Sequence, residues 1–451
     1  ELLKDDGSPI DEIQNLIPKK ELLMGLNKNA NGEMTKDLVL PDLQKYEFDL
    51  GKPGSKLTSN MAHLSKYLRD IIALNKDSFR VMSPDESVSN KLSPLFDVTE
   101  RAYVWPSLPG AEKVGPDGRV MEILSENLLT AWMEGYILTG RHAVLVSYES
   151  FMMIVASMID QYVKFISQKE KFAWRKPIPS LNIILTSGSW RQEHNGLSHQ
   201  NPGFISSLLN NHSKHIDIHY PVDANMLIAT MEECFKSKDM VNIVSIGKRD
   251  LPQYLSLKQA KDQMHFGVKN WSSKNEEPDI TIAASGDYMT LEALAAIKIL
   301  KVSVPEIKAR FVSVSELSNF NLGDLNEKEY QQMIEKYFGK NNPVIYVYHG
   351  YTEDVKQLLF GVENQKRFHL FGYGEIGTTT TPFDMLVLNK CSRYQLVLKA
   401  IDLYLEKSNM SVSPEIRKTI NEMNSLLEKH SKFIREMGYD IPEVTDFKLI
   451  D

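Results

Sequence analysis

The chain has 451 residues, of which 42% are hydrophobic and 25% charged, proportions that suit a globular protein with more than one buried core and exclude a disordered or fibrous one. A formal net charge of -7 excludes a general nucleic-acid binder, which needs a basic face, but leaves room for a local basic pocket that takes a phosphorylated metabolite. Two cysteines, Cys234 and Cys391, with no Cys/His cluster at zinc-ligand spacing argue against a disulfide framework or structural metal and for a reducing, cytoplasmic setting; no apolar run suits a membrane span, and the acidic start is unlike a signal peptide.

Residues 1–60 are rich in Asp, Asn, Lys, Gly and Pro, lack periodicity and read as a connector. Leu124, Leu128, Ala131 and Ile137 predict a helix over 121–138; Gly140 stops it, and Arg141 and His142 suit its carboxyl end. Residues 143–146 read as a short strand, 151–166 as an apolar helix, and 181–186 (LNIILT) as an interior strand of a parallel sheet. A helix over 225–235 and a strand over 241–246 follow. The charged interval 270–278 divides an α/β domain over 61–270 from a second over 271–451, with strands at 280–284, 309–314 and 344–348 and helices at 290–300 and 327–337. Thr381 is the expected hydroxyl cap of a helix starting near Phe383, and 414–437 reads as a surface helix packed by one stripe. Strands alternating with helices imply two doubly wound α/β sheets.

Directly after the 181–186 strand, residues 190–204 (WRQEHNGLSHQNPGF) gather an Arg, a Gln, a Glu, two His and two Asn. Open parallel sheets bind ligands at the carboxyl ends of their strands. Asn, Gly, Ser and Pro also build ordinary solvated turns, but two close His beside an Arg and a Gln favour a binding site. Arg191 suits either a phosphate fork or a salt bridge, and the imidazoles of His194 and His199 can donate or accept in the physiological range.

Trp190-Arg191-Gln192-Glu193-His194-Asn195-Gly196, followed by Ser198-His199-Gln200 and Pro202-Gly203, resembles the signature of phosphoketolases, thiamine-diphosphate enzymes that split ketose phosphates with inorganic phosphate. The resemblance extends to Ser125-Glu126-Asn127, to residues 134–142 (EGYILTGRH), to Ser147-Tyr148-Glu149-Ser150-Phe151, and to Gly374-Glu375 with 377–385 (GTTTTPFDM). It implies a pyrimidine-binding domain followed by a transketolase C-terminal-like domain. Catalytic roles then fall to Glu126, Gln192, His194 and His199, with Glu126 against the aminopyrimidine N1′, where a carboxyl group favours the imino tautomer that takes a proton from the thiazolium. Tyr148 and Phe151 are the implied aromatic wall of the cofactor ring, and Ser89, Arg191, Asn195 and Lys248 the implied substrate and phosphate contacts.

In that family the diphosphate and Mg2+ sit on an amino-terminal domain through Gly-Asp-Gly, a motif found nowhere in this sequence, so no metal ligand is assigned here. The expected partners are an amino-terminal diphosphate-binding half and a second copy in a homodimer, with little activity in isolation. The implied reaction takes xylulose 5-phosphate or fructose 6-phosphate and inorganic phosphate to acetyl phosphate and an aldose phosphate, glyceraldehyde 3-phosphate or erythrose 4-phosphate. Ile376, Glu193, Leu197 and Asn201 depart from the commonest family pattern and leave the preferred ketose open. A transketolase-like two-carbon transferase and a non-catalytic dimer-forming partner are the alternatives, separated from the first reading by phosphate-dependent acetyl phosphate formation.

Overall fold

The computed structural model describes residues 2–23, 26–27, 34–84, 86–102, 109–192, 194–211, 213–271, 277–318, 327–408 and 411–449. A helical turn, α1 (Asp11–Gln14), and 3-10 turns at Lys20–Leu22 and Leu43–Tyr46 precede β1 (Leu57–Ser59) and α2 (Asn60–Leu74). Ser59 caps α2 by accepting from the Ala62 N–H, and the helix buries Met61, Leu64, Leu68 and Ile71 along one face.

The first sheet is built from β2 (Phe79–Ser83), β3 (Arg101–Ala102), β4 (Val120–Glu122), β5 (His142–Tyr148), β6 (Leu181–Thr186), β7 (Ile216–His219) and β8 (Val241–Ser245). Its order is β3-β4-β2-β5-β6-β8-β7 and every pairing is parallel. The helices α3 (Glu126–Leu138), α4 (Ala156–Lys169), α5 (Gly203–Leu209) and α6 (Ala224–Lys236) pack against it. All six residues of β6 are buried, as an interior parallel strand requires.

Three local expectations need correction. Residues 120–122 form a strand beside β2 rather than the start of a helix; α3 begins only at Glu126, where the Ser125 hydroxyl accepts from the Leu128 N–H. Residues 149–155 are a 3-10 turn, and the regular helix α4 starts at Ala156. His142 caps nothing: it opens β5, fully buried, with Nε2 2.8 Å from the Lys36 carbonyl oxygen.

A short antiparallel ribbon joins β1 to β9 (Asp250–Pro252), and α7 (Leu257–Phe266) then carries a capping box at Ser256 and Gln259. The second sheet comprises β10 (Val268–Asn270), β11 (Ile280–Ser285), β12 (Ala309–Val314), β13 (Val344–Tyr351) and β14 (Phe368–Tyr373) in the order β10-β12-β11-β13-β14. Only β10 is antiparallel, and it enters this sheet slightly before residue 271. Around the sheet lie α8 (Asp287–Ser303), α9 (Glu327–Phe338), α10 (Thr352–Leu359), α11 (Pro382–Leu388), α12 (Arg393–Ser408) and α13 (Pro414–Met437). Thr381 occupies the N-cap of α11, but its hydroxyl makes no capping bond; the Asp440 carboxylate, 57 residues away, accepts from the Phe383 N–H instead.

One apolar cluster bridges the two sheets, and each sheet also has a cluster of its own on its other face. The bridging cluster runs from Ile183 and Leu185 in β6 to Val314 in β12 and Tyr346 and Tyr348 in β13, and the Tyr220 and Tyr348 hydroxyls meet at 3.0 Å. No described helix is long and apolar enough to cross a membrane. Within the second unit, Arg393 at the start of α12 and Glu292 in α8 form a buried bidentate pair, at 2.6 and 3.0 Å. Removing one partner of such a pair leaves an uncompensated buried charge, so Glu292→Gln is expected to cost about 3–5 kcal/mol, read as a fall in the urea midpoint of the second unit.

Candidate active site

The first sheet changes side between β2 and β5: from β2 the chain runs out to the edge strand β3, returns through β4, and then crosses to the other side of β2 with β5 and β6. The crevice of an open α/β sheet lies at the carboxyl ends of the strands flanking that change of side. The turn after β2 carries Glu86, Ser89 and Asn90; β5 ends at Tyr148, and Phe151 follows in the 3-10 turn. Glu126 opens the helix after β4, the 190–204 loop follows β6, and Lys248 follows β8. All ten residues proposed from the sequence therefore leave the same edge of one sheet.

Three of them converge. The Tyr148 hydroxyl lies 3.0 Å from Ser89 Oγ and accepts from Lys248 Nζ at 3.1 Å, while that ammonium also stands 4.2 Å from the centre of the Tyr148 ring. A cation held by a phenol oxygen and an aromatic face, with a hydroxyl beside it, can receive a phosphate or another small anion. Tyr148 and Phe151 stack nearly parallel, with ring centres 5.9 Å apart and an interplanar angle of 9°, and His199 meets Phe151 edge-on at 5.2 Å. His199 Nδ1 pairs with Ser198 Oγ at 2.8 Å.

The remaining residues of the loop divide in two. His194 and Asn195 are exposed, and their side chains make no hydrogen bond to described residues; Glu193 lies outside the described residues. Gln192 is buried with its Nε2 unpartnered, and its carbonyl oxygen accepts from the Gln200 side chain at 3.1 Å, which ties the loop's two limbs together. The Arg191 guanidinium lies 4.2 Å above the ring of Tyr288, in the second unit.

Sequence reasoning passed over Glu86, although it stands in the same motif as Ser89. Its carboxylate takes hydrogen bonds from the Asn90 side chain, at 3.5 Å, and from the Tyr148 backbone N–H, and it faces both Glu126 and Lys248. Burial pushes this carboxyl up to about 8, with the Asn90 hydrogen bond opposing and the Glu126 charge adding to the rise. Asn90 is itself oriented by Thr186 at the end of β6, whose hydroxyl donates to its side-chain oxygen at 2.6 Å. Only the packing of three strand ends reveals this second carboxyl, because an Asp-Glu-Ser run by itself reads as a solvated turn.

Residues 62–237 match the family model for D-xylulose 5-phosphate/D-fructose 6-phosphate phosphoketolase, and residues 248–449 match its XFP C-terminal domain. The chain belongs to the phosphoketolase family. It is 40% identical over 459 residues to a probable phosphoketolase of Nitrosospira multiformis and 40% identical over 455 residues to a probable phosphoketolase 2 of Rhizobium meliloti, in each case across 99% of this chain. It spans 56% and 58% of those relatives, respectively. Among solved structures, a transketolase from Pichia stipitis in complex with sedoheptulose 7-phosphate superposes with a TM-score of 0.61 at 18% identity, covering 84% of this chain and 50% of that one. A split-gene transketolase chain described as an inactive β4 tetramer gives a TM-score of 0.53 at 15% identity, over 77% of this chain and 98% of its own. These likenesses define a transketolase-like α/β fold, and the family is one of thiamine-diphosphate-dependent lyases.

The residues present fit the ring end of that cofactor: a half-buried carboxyl, Glu126, whose charge acts on Glu86, and a stacked aromatic pair leave the same end of the sheet, a set suited to a flat heteroaromatic with a basic nitrogen. Among the described residues no group of three or more His, Cys, Asp or Glu could hold a metal ion. The raised Glu86 carboxyl has a consequence for stability. The folded state binds its proton more tightly than the unfolded chain, so its contribution is present below the ordinary value of 4.5 and is lost as the pH rises through about 8. Glu86→Gln is therefore expected to flatten the fall in urea midpoint across that window, which paired denaturation curves at its two ends will measure.

Proposed function

We propose that this chain supplies the pyrimidine-ring and sugar-phosphate side of a phosphoketolase site, converting xylulose 5-phosphate or fructose 6-phosphate and inorganic phosphate to acetyl phosphate and an aldose phosphate. The observation that carries the reading is the convergence of Ser89, Tyr148 and Lys248 beside the facing carboxyls of Glu86 and Glu126, at the crevice of the first sheet. Thiamine diphosphate, held by Glu126 and the Tyr148–Phe151 rings, would supply nucleophilic carbon chemistry at the ketose carbonyl. Glu126 holds the proton at the pyrimidine N1′, and the Tyr148 and Phe151 rings bound the ring's pocket. Lys248 and Ser89 bind phosphate; Gln192 and Asn195 orient the sugar, and His194 and His199 exchange protons with its hydroxyls. Arg191 acts through its neighbours, since its guanidinium is engaged by the Tyr288 ring.

The two sheets are taken as the cores of two domains, dividing before Val268. The diphosphate and a divalent ion such as Mg2+ belong, in this reading, to an amino-terminal diphosphate-binding half. An apolar shelf beside the site supports burial against that half or against a second copy in a homodimer: Leu124 is 77% exposed, Leu197 54% and Ile154 51%. The cytoplasm is the proposed location, where the sugar phosphates are found and where the two buried, unpaired cysteines stay reduced.

The test is acetyl phosphate formation from each ketose phosphate with inorganic phosphate, thiamine diphosphate and Mg2+, using this chain alone and then together with an amino-terminal half from a family member. Product is expected only from the pair. Glu126→Gln in that pair is expected to lower kcat by roughly 10²–10⁴-fold, the usual worth of a positioned acid or base, measured as acetyl phosphate trapped by hydroxylamine. Transfer of a two-carbon unit to an aldose without any need for phosphate would instead identify a transketolase-like enzyme.

A further inference from the structure

Two of the contacts between the carboxyl edge of the second sheet and the first domain fall on backbone next to a candidate site residue. At the first, Asp287 Oδ2, at the start of α8, accepts from the Gly247 N–H at 2.8 Å. Gly247 immediately precedes Lys248. A Cβ at that glycine would lie 2.7 Å from Asp287 Oδ2 and 2.9 Å from the Tyr288 hydroxyl, so any other residue there would push these side chains aside. Asp287 is held in turn: its Oδ1 accepts from the Tyr288 N–H at 2.8 Å, and Asn60 donates to its Oδ2 at 3.4 Å.

At the second point, His349 Nε2, at the end of β13, lies 2.8 Å from Glu149 Oε1, and both side chains are buried. The other Glu149 oxygen accepts from the Ser189 N–H at 3.3 Å, and the His349 carbonyl oxygen accepts from the Trp190 indole N–H at 2.7 Å. A Cβ at Gly188 would stand 2.6 Å from His349 Cε1. The turn leading to Gln192 is thus gripped by side chain, backbone and close packing together. The two clamps adjoin, because a Cβ at Gly286, whose φ is +101°, would meet His349 Cβ at 3.1 Å. Burial drives the His349 imidazole down, but the Glu149 charge and hydrogen bond, with the Asp287 charge, leave it above its ordinary value.

An interface of apolar side chains would hold two domains together at lower electrostatic cost than these desolvated groups. What the polar groups add is direction, since each hydrogen bond aims a particular peptide. We propose that Asp287, His349 and Glu149 are positioning residues through which the second domain sets the anion-binding edge of the site: Asp287 fixes the 247–248 peptide and with it the Lys248 ammonium, and the Glu149–His349 pair fixes the 188–192 turn. The inference rests on the reading of Lys248 as a phosphate contact.

The test compares Asp287→Ala with Asp287→Asn in the complete enzyme, this chain together with its amino-terminal half. Amide hydrogen exchange at 247–248 is followed beside steady-state kinetics in both substrates. Displacing a contact by about an ångström costs up to roughly 10²-fold; the alanine variant is expected to raise the KM for inorganic phosphate about tenfold or more while kcat at saturating phosphate changes little, with faster exchange at 247–248. Asp287→Asn keeps an acceptor for the Gly247 N–H and is expected to restore both. If Asp287→Ala does not fold, His349→Ala and the conservative His349→Gln carry the same comparison at the 188–192 turn. Unchanged exchange and phosphate KM in the alanine variant, or a loss of kcat that asparagine does not rescue, overturns the proposal. A wild-type enzyme that makes no acetyl phosphate would defeat the phosphoketolase reading, whereas the exchange comparison would still decide whether the clamp exists.

Discussion

Every strand of the first sheet runs in one direction, so every loop that follows a strand emerges on the same edge. That constraint gathers Glu86, Glu126, Tyr148, Gln192 and Lys248 from widely separated parts of the sequence. The register between neighbouring strands sharpens it: Tyr148 pairs with Thr186, and Thr186 orients Asn90 beside Glu86. Side chains that share no local pattern thereby come within hydrogen-bonding distance. Were any of the central strands reversed, its loop would leave the opposite edge and the Ser89–Tyr148–Lys248 convergence would not form.

Charge is handled differently at the site and away from it. Arg393 and Glu292 neutralise one another in the second domain with bidentate geometry. Glu86 instead lies in a partly desolvated place near another carboxyl, with Lys248 as an opposing charge, so that its proton is held far more tightly than usual. Carboxyls in such surroundings are disfavoured for stability and useful for proton handling, which is why perturbed groups in a crevice mark functional sites. Glu149, His349 and Asp287 form a third arrangement, a buried polar seam whose hydrogen bonds end on backbone amides beside site residues. The second domain is therefore more than ballast for the first.

The periodic and compositional features of the chain were legible before any coordinates. The 181–186 run is an interior strand because it is short, β-branched and apolar throughout, and the polar cluster that follows it emerges at the strand's carboxyl end as a parallel sheet demands. The stripe of α13 likewise buries Ile416, Thr419 and Met423. Local signals failed where a tertiary partner outbid them. Met121 and Glu122 suit the start of a helix by local propensity, but pairing with β2 draws them into the sheet. Thr381 has the chemistry of a helix cap, but Asp440 reaches the first turn of α11 from a distant segment.

The sequence by itself determined the fold class, the family resemblance and the loop on which the chemistry is expected, because hydrophobic periodicity and contiguous motifs are properties of neighbouring residues. Tertiary structure alone decided which of those residues meet. It joined Lys248 to Tyr148 and Ser89, turned Arg191 onto Tyr288, brought Glu86 to face Glu126, and set His349 against Glu149, 200 positions apart. The physical reason is that desolvation, hydrogen bonding and charge coupling depend on distance in space, and strand order and register set those distances between segments that carry no local record of one another.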